Sequence, residues 1–214
     1  MDKERTSVKA KHNRSPGRPR SSELELPTKE IILKAASRLF LDNGYQHVSV
    51  DDVAKLCNVT KATVYYYYAS KAELFTETIV QMMERIREKM HAMLQENIPL
   101  RSRLLNVTEA HLKATVDIDM DGFMKGTKNT LSPEQIKRMH QAEENMHQAI
   151  EEAFVDAMAK GEIGEINPTF ATQTYLALLK VGNYKTVDNH SIFPTIEKTA
   201  EQINRFFWQG LFPE

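Results

Sequence analysis

Between Ser49 and Phe75 three helix-opening signals follow one another so closely that the helices between them are held to about two turns each. Ser49-x-x-Asp52 reads as a capping box opening a helix through Val53, Ala54 and Leu56. Asn58 tolerates the left-handed conformation of a tight turn, and Thr60 caps a second short helix from Lys61 to about Tyr67. Ser70-x-x-Glu73 then opens a long helix to about Glu96. Two short helices joined by Asn58-Val59-Thr60 form a helix-turn-helix. A preceding helix, Thr28 to Asn43, offers Ile31, Ile32, Ala35, Ala36, Leu39 and Phe40 at helical spacing and stops at Gly44.

The remainder of the chain is helical too. Starts at Pro99, Ser132-Pro133-x-Gln135, Asn167-Pro168 and Pro194, with a weaker segment over Asp121–Asn129, imply about nine helices in all. No sustained alternating β pattern or hairpin signal interrupts them, so the expected fold is all-α. No apolar run approaches the roughly 18 residues of a membrane span, and no secretory signal is evident. Lone Cys57 excludes a disulfide framework and a cysteine zinc site. A cytoplasmic protein without membrane contact is expected.

The net charge of −1 conceals an uneven distribution. Residues 1–20 carry Lys3, Arg5, Lys9, Lys11, Arg14, Arg18 and Arg20 against Asp2 and Glu4, on a mildly acidic remainder. Residues 1–27 read as a disordered basic arm, either a solvated tail or a contact to a polyanion. Gly17-Arg18-Pro19-Arg20 resembles the core of a minor-groove AT-hook, which suggests Arg18 and Arg20 as DNA contacts.

In the helix-turn-helix, Val59 and Val64 can face Val53, Ala54 and Leu56, leaving Lys61, Ala62, Thr63 and Tyr66 outward. These side chains suit a major groove: lysine for guanine, threonine for bases or phosphates, alanine beside a thymine methyl. The run Tyr65-Tyr66-Tyr67-Tyr68 cannot all enter one core. Tyr65 and Tyr68 can pack inside while other hydroxyls grip phosphates, and Lys71 can add a phosphate contact.

The stretch "ILKAASRLFLDNGYQHVSVDDVAKLCNVTKATVYYYYASKAELF" resembles the DNA-binding domain of the TetR family of transcriptional regulators. The likeness runs through Gly44-Tyr45, Val59-Thr60-Lys61-x-Thr63-Val64-Tyr65 and Ser70-Lys71-x-x-Leu74-Phe75. Asn58 stands where the family usually has glycine, and Tyr67 and Tyr68 where His and Phe are common. The resemblance implies an arm over residues 1–27, a helix-turn-helix domain over 28–75 and a helical ligand-binding and dimerisation domain over 76–214. It implies a dimer on a near-palindromic operator in double-stranded DNA, usually repressing and released by a small ligand. Ser49, Thr60, Lys61, Ala62, Thr63, Tyr65, Tyr66, Tyr67 and Lys71 are then the DNA-facing residues.

Methionines after residue 80 suit an apolar cavity, and Met90, Met93, Phe123 and Met124 are the expected lining for an apolar or amphipathic effector. The last two helices carry more apolar surface than one stripe requires. Phe170, Tyr175, Leu178, Leu179, Ile203, Phe206 and Phe207 are the expected dimer interface, the alternative being packing within the protomer.

Two metal-like patterns are weaker. Asp117-x-Asp119-x-Asp121-Gly122 opens like a calcium loop, but Lys128 occupies its twelfth position. His140, Glu143, Glu144 and His147 read as a charged helix edge. No cofactor, metal or enzyme motif is expected. The reading is a ligand-released repressor, with an architectural DNA-binding protein lacking an effector as the alternative.

Overall fold

The computed structural model describes residues 27–115, 123–127 and 129–212. Its helices are α1 (Thr28–His47), α2 (Val50–Leu56), α3 (Lys61–Tyr67), α4 (Lys71–Leu94), α5 (Leu100–Thr115), α6 (Pro133–Ala159), α7 (Pro168–Gly182) and α8 (Ile196–Leu211). Among the described residues the β geometry is an isolated antiparallel bridge between Lys185 and Ser191. The fold is all-α, as expected. Of the weak segment at 121–129, Phe123 and Met124 are helical; Asp121, Gly122 and Lys128 lie outside the described residues, as do Asp117 and Asp119 of the calcium-like pattern.

Helix starts follow their caps. Ser132 and Gln135 make a full capping box, and Asn167 accepts from the Phe170 amide ahead of Pro168. The last helix begins behind Thr195 rather than at Pro194, because the Thr195 hydroxyl accepts from the Lys198 amide. At Ser70 only half the expected box forms: its hydroxyl takes the Glu73 amide, while the Glu73 carboxylate turns away to Arg138 and Gln135. In α1 the helical backbone is interrupted at Gly44, with φ 76° and ψ 162°, values that only glycine adopts readily. That kink carries Tyr45 inward, its ring 6.1 Å from Phe40 and 4.9 Å from Phe75.

Two apolar cores result. One joins α1, α2, α3 and the start of α4 around Ile32, Phe40, Val53, Val64, Leu74 and Phe75. The other joins the far end of α4 to α5, α6, α7 and α8 around Leu104, Ile150, Phe154, Tyr175 and Phe207. Helix α4 belongs to both, so the expected boundary after residue 75 falls within it.

Candidate nucleic-acid interface

The head is built from short-range polar bonds over a small apolar floor. The Ser49 hydroxyl donates to Asp52 at 2.6 Å and accepts from the Asp52 amide at 3.2 Å. The hydroxyl's donation, with that of the Ser49 amide at 2.9 Å, holds the Asp52 carboxyl below its usual range. Ser49 is thus committed to starting α2. Asn58 takes φ 54°, and the Val59 amide donates back to Ala54 at 3.0 Å, closing the turn. Thr60 caps α3, its hydroxyl 3.1 Å from the Thr63 amide and 2.8 Å from the Thr63 hydroxyl. Val64 and Val53 are buried between the two helices. Leu56, expected inward, is 50% exposed. Helix α2 ends there, and Cys57 takes the inward place, burial pushing its thiol pKa up.

Helix α3 turns a polar face outward. Lys61 and Ala62 are exposed, and Tyr66 is 82% exposed. The four tyrosines divide as helix geometry demands. Tyr68 is buried, donates to the Lys29 carbonyl at 3.3 Å, and has its pKa pushed up to about 12 by burial. Tyr65, expected as a candidate for the core, is 44% exposed instead, because it lies about 100° around the helix from buried Val64. The Tyr66 and Tyr67 rings meet edge to face at 5.0 Å.

Two expected contacts are already engaged. The Lys61 ammonium lies 2.5 Å from the Asp51 carboxylate, a partner ten residues away that no local pattern announces. Lys71 is half-buried, with its ammonium 4.3 Å from the Tyr45 ring centroid and 3.5 Å from the Gln46 carbonyl. Burial lowers its pKa. Arg18 and Arg20 lie outside the described residues. A slim capped helix with a flat polar face, held against a rigid neighbour, fits a major groove about 12 Å wide.

Residues 32–78 match the family model for bacterial regulatory proteins of the tetR family. The chain thus carries the DNA-binding head of the TetR family. The HTH-type transcriptional regulator UidR of Escherichia coli K12 is 26% identical over 157 residues, covering 71% of this chain and 78% of UidR. The biofilm operon negative regulator IcaR of Staphylococcus epidermidis is 35% identical over 51 residues, 24% of this chain and 28% of IcaR. The fatty acid degradation regulator FadR of Bacillus halodurans shares the fold at a TM-score of 0.68, with 17% identity over 89% of this chain and 99% of FadR. With that head the chain is a helix-turn-helix transcriptional regulator, and these relatives are regulators rather than enzymes.

In the body of this regulator the expected sites separate. Met90 and Met93 join the body core, whereas Phe123 and Met124 pack on the head core, Phe123 lying 5.4 Å from Phe75. The structure does not bring these four residues together. Of the expected dimer residues, Tyr175, Leu179, Ile203 and Phe207 are buried within the protomer and Leu178 is packed against its cores. Ala171, Tyr175 and Leu179 recur at four-residue spacing and so share the inward stripe of α7. Phe170 and Phe206 alone of the set stand out, at 63% and 69% exposure. Among the described residues no cluster of three or more His, Cys, Asp or Glu side chains could hold a metal, and His140, Glu143 and Glu144 are exposed. No described helix is long and apolar enough to cross a membrane.

A head-to-body clamp escaped the sequence reading. Arg138 of α6 donates to Glu73 at 2.6 Å and to Glu77 at 2.7 Å, and Gln135 donates to Glu73 at 3.0 Å. Helix α4 joins the two regions covalently, and this clamp and Phe123 add a second mechanical connection. The signal was invisible because the partners are more than sixty residues apart, at separations of 61 to 65.

Proposed function

We propose that this regulator binds a near-palindromic operator as a homodimer, represses transcription there, and is released by a small apolar or amphipathic effector. The observation that carries the DNA-binding part is the outward face of α3, Lys61, Ala62 and Tyr66, on a helix whose inner side is fixed by buried Val64. Lys61 reads a base edge after exchanging Asp51 for DNA, and Thr60, Thr63, Tyr65, Tyr66 and Tyr67 add phosphate or base contacts. Ser49 and Lys71 support the helix starts and act on DNA through them. Arg18 and Arg20 follow the minor groove. The dimer forms through outward Phe170 and Phe206 together with Val181, which is 52% exposed on the same side of α7. It sets the two α3 helices about 34–36 Å apart, one turn of DNA. Repression is supported by the likeness of the head to the negative regulator IcaR.

Selection from a random duplex library with the purified protein tests the reading. The expected product is an inverted repeat, and Lys61→Ala is expected to cost about 1–3 kcal/mol on it and less on random duplex. Recovery of no preferred sequence would replace this reading with the architectural one.

A further inference from the structure

At the end of the body remote from α3, the α4–α5 joint forms a groove of about 370 Å³ lined by Asn97, Ile98, Pro99, Leu100, Arg101, Glu162 and Trp208. Its volume falls in the about 300–1,000 Å³ range of small-ligand sites. The Arg101 guanidinium lies over the Trp208 ring, 6.0 Å from its centroid, so a flat apolar surface and an exposed cation meet there. We propose that this groove binds small planar aromatic carboxylates, the Arg101 guanidinium swinging off the Trp208 ring to pair with the carboxylate and the arene taking its place beside Trp208 and Phe212, and that it is an effector site of the regulator. The effector role rests on the DNA-binding reading above; the binding site itself does not.

Charge favours an anion. The charged groups of the lining are Arg101 and Glu162, and Glu162 is already paired with buried Arg103, which leaves the Arg101 guanidinium to receive a ligand's charge. Glu162 already shows how a carboxylate sits there, accepting from the Leu100 amide at 3.0 Å and from Arg103 Nη2 at 2.8 Å. An indole face favours an offset arene, and a carboxylate binds guanidinium in a planar, two-bond fork. An organic cation finds the opposite: Glu162 is occupied and Arg101 stands over the ring.

The groove also touches the end of α4. Arg103 Nη1 donates to the carbonyl of Leu94, the last residue of that helix, at 2.7 Å, while its other nitrogen holds Glu162. A ligand that shifts Glu162 or the Asn97–Pro99 connector therefore acts on the helix that enters the head at Leu74 and Phe75. The groove stays open in the proposed dimer. Phe206 and Trp208 are two residues apart on α8, about 200° around the helix, so a partner on Phe206 leaves Trp208 uncovered.

Trp208 is the single tryptophan of the chain, so its emission reports on this site directly. Full-length protein is titrated with benzoate, benzylamine and benzyl alcohol. A saturable change with benzoate, at least tenfold weaker with the other two and at least tenfold weaker in Arg101→Gln, is expected. Arg101→Gln removes an exposed side chain, and its circular dichroism checks that the helices persist. Equal responses to all three probes, preference for benzylamine, or a benzoate response unchanged in Arg101→Gln would each overturn the site. Selected operator DNA, bound with and without saturating benzoate, then tests the role. A fall in DNA affinity of at least threefold supports it, and an unchanged affinity overturns it. Failure to select any operator would defeat the DNA-binding reading instead, with the fluorescence result standing apart.

Discussion

Head and body use polar side chains in opposite ways. In the head they bond to neighbours three residues off: Ser49 with Asp52, Thr60 with Thr63, Ser70 with Glu73. In the body they bridge stretches of chain far apart in sequence from buried or half-buried side chains: Arg103 with Glu162, Thr108 with Tyr175, Asn183 with Thr115. Local caps fix where a helix starts but leave its outer face free for another molecule. Buried long-range pairs fix how helices sit against each other, and an unpaired member is costly. The head is thus a set of short, locally specified parts, whereas the body depends on pairings across the chain.

That contrast is most exposed at the body's Arg103–Glu162 ion pair, whose arginine is buried. Glu162→Ala leaves Arg103 buried with one carbonyl partner, and a loss of about 3 kcal/mol is expected in urea unfolding. A loss near zero would show that the body tolerates an orphaned cation and would dissolve the distinction. Next come two substitutions of equal size in stability and unequal effect on DNA. Thr60→Ala removes a cap and Tyr175→Phe removes a buried hydroxyl bonded to Thr108, each costing about 1 kcal/mol. Thermal melts should match, while only Thr60→Ala weakens operator binding at temperatures where both variants are folded.

The clamp between the regions offers an acid test. Arg138 holds the Glu73 carboxyl below its usual 4.5, with Gln135 adding to the effect. A carboxyl depressed in the folded protein stabilises it fully above the unfolded value and loses that contribution as pH falls through the folded one. Stability measured from pH 6 to about pH 3 should therefore fall less steeply in Arg138→Gln than in the parent, around and below 4.5. Because Arg138 and Glu73 are partly exposed, the neutral-pH loss is expected to be about 1 kcal/mol or less.

The smallest effect concerns Asp51, the head's own longer-range pair. Asp51→Asn frees Lys61, so DNA affinity should rise a few-fold. Because Lys61 reads a base edge, the gain should be larger on the selected operator than on random duplex. An equal gain on both would place Lys61 on phosphate instead.

The two regions were also unequally legible. Residues 61–67 were readable as a helix because Thr60 and the Val64 position fix it from within seven residues. The tyrosine run told only that some rings must face out; which one entered the core depended on where α1 lies, since Tyr68 bonds to Lys29. For α7 and α8 the sequence showed an excess of apolar residues, and the structure assigned Tyr175, Leu179, Ile203 and Phe207 to the protomer itself. Periodicity gives the angle between side chains on one helix and nothing about what each angle meets.

The sequence by itself determined the helical class, the cap-defined starts and the helix-turn-helix, because those follow from bonds spanning three or four residues and from the left-handed tolerance of Asn58. Only the tertiary structure decided that Lys61 is held by Asp51, that Lys71 lies over Tyr45, that Arg138 ties body to head, and that Met90 and Phe123 belong to different cores. Those outcomes depend on how whole helices pack. Packing is chosen by the sum of many weak apolar contacts, so no short stretch of the chain encodes it.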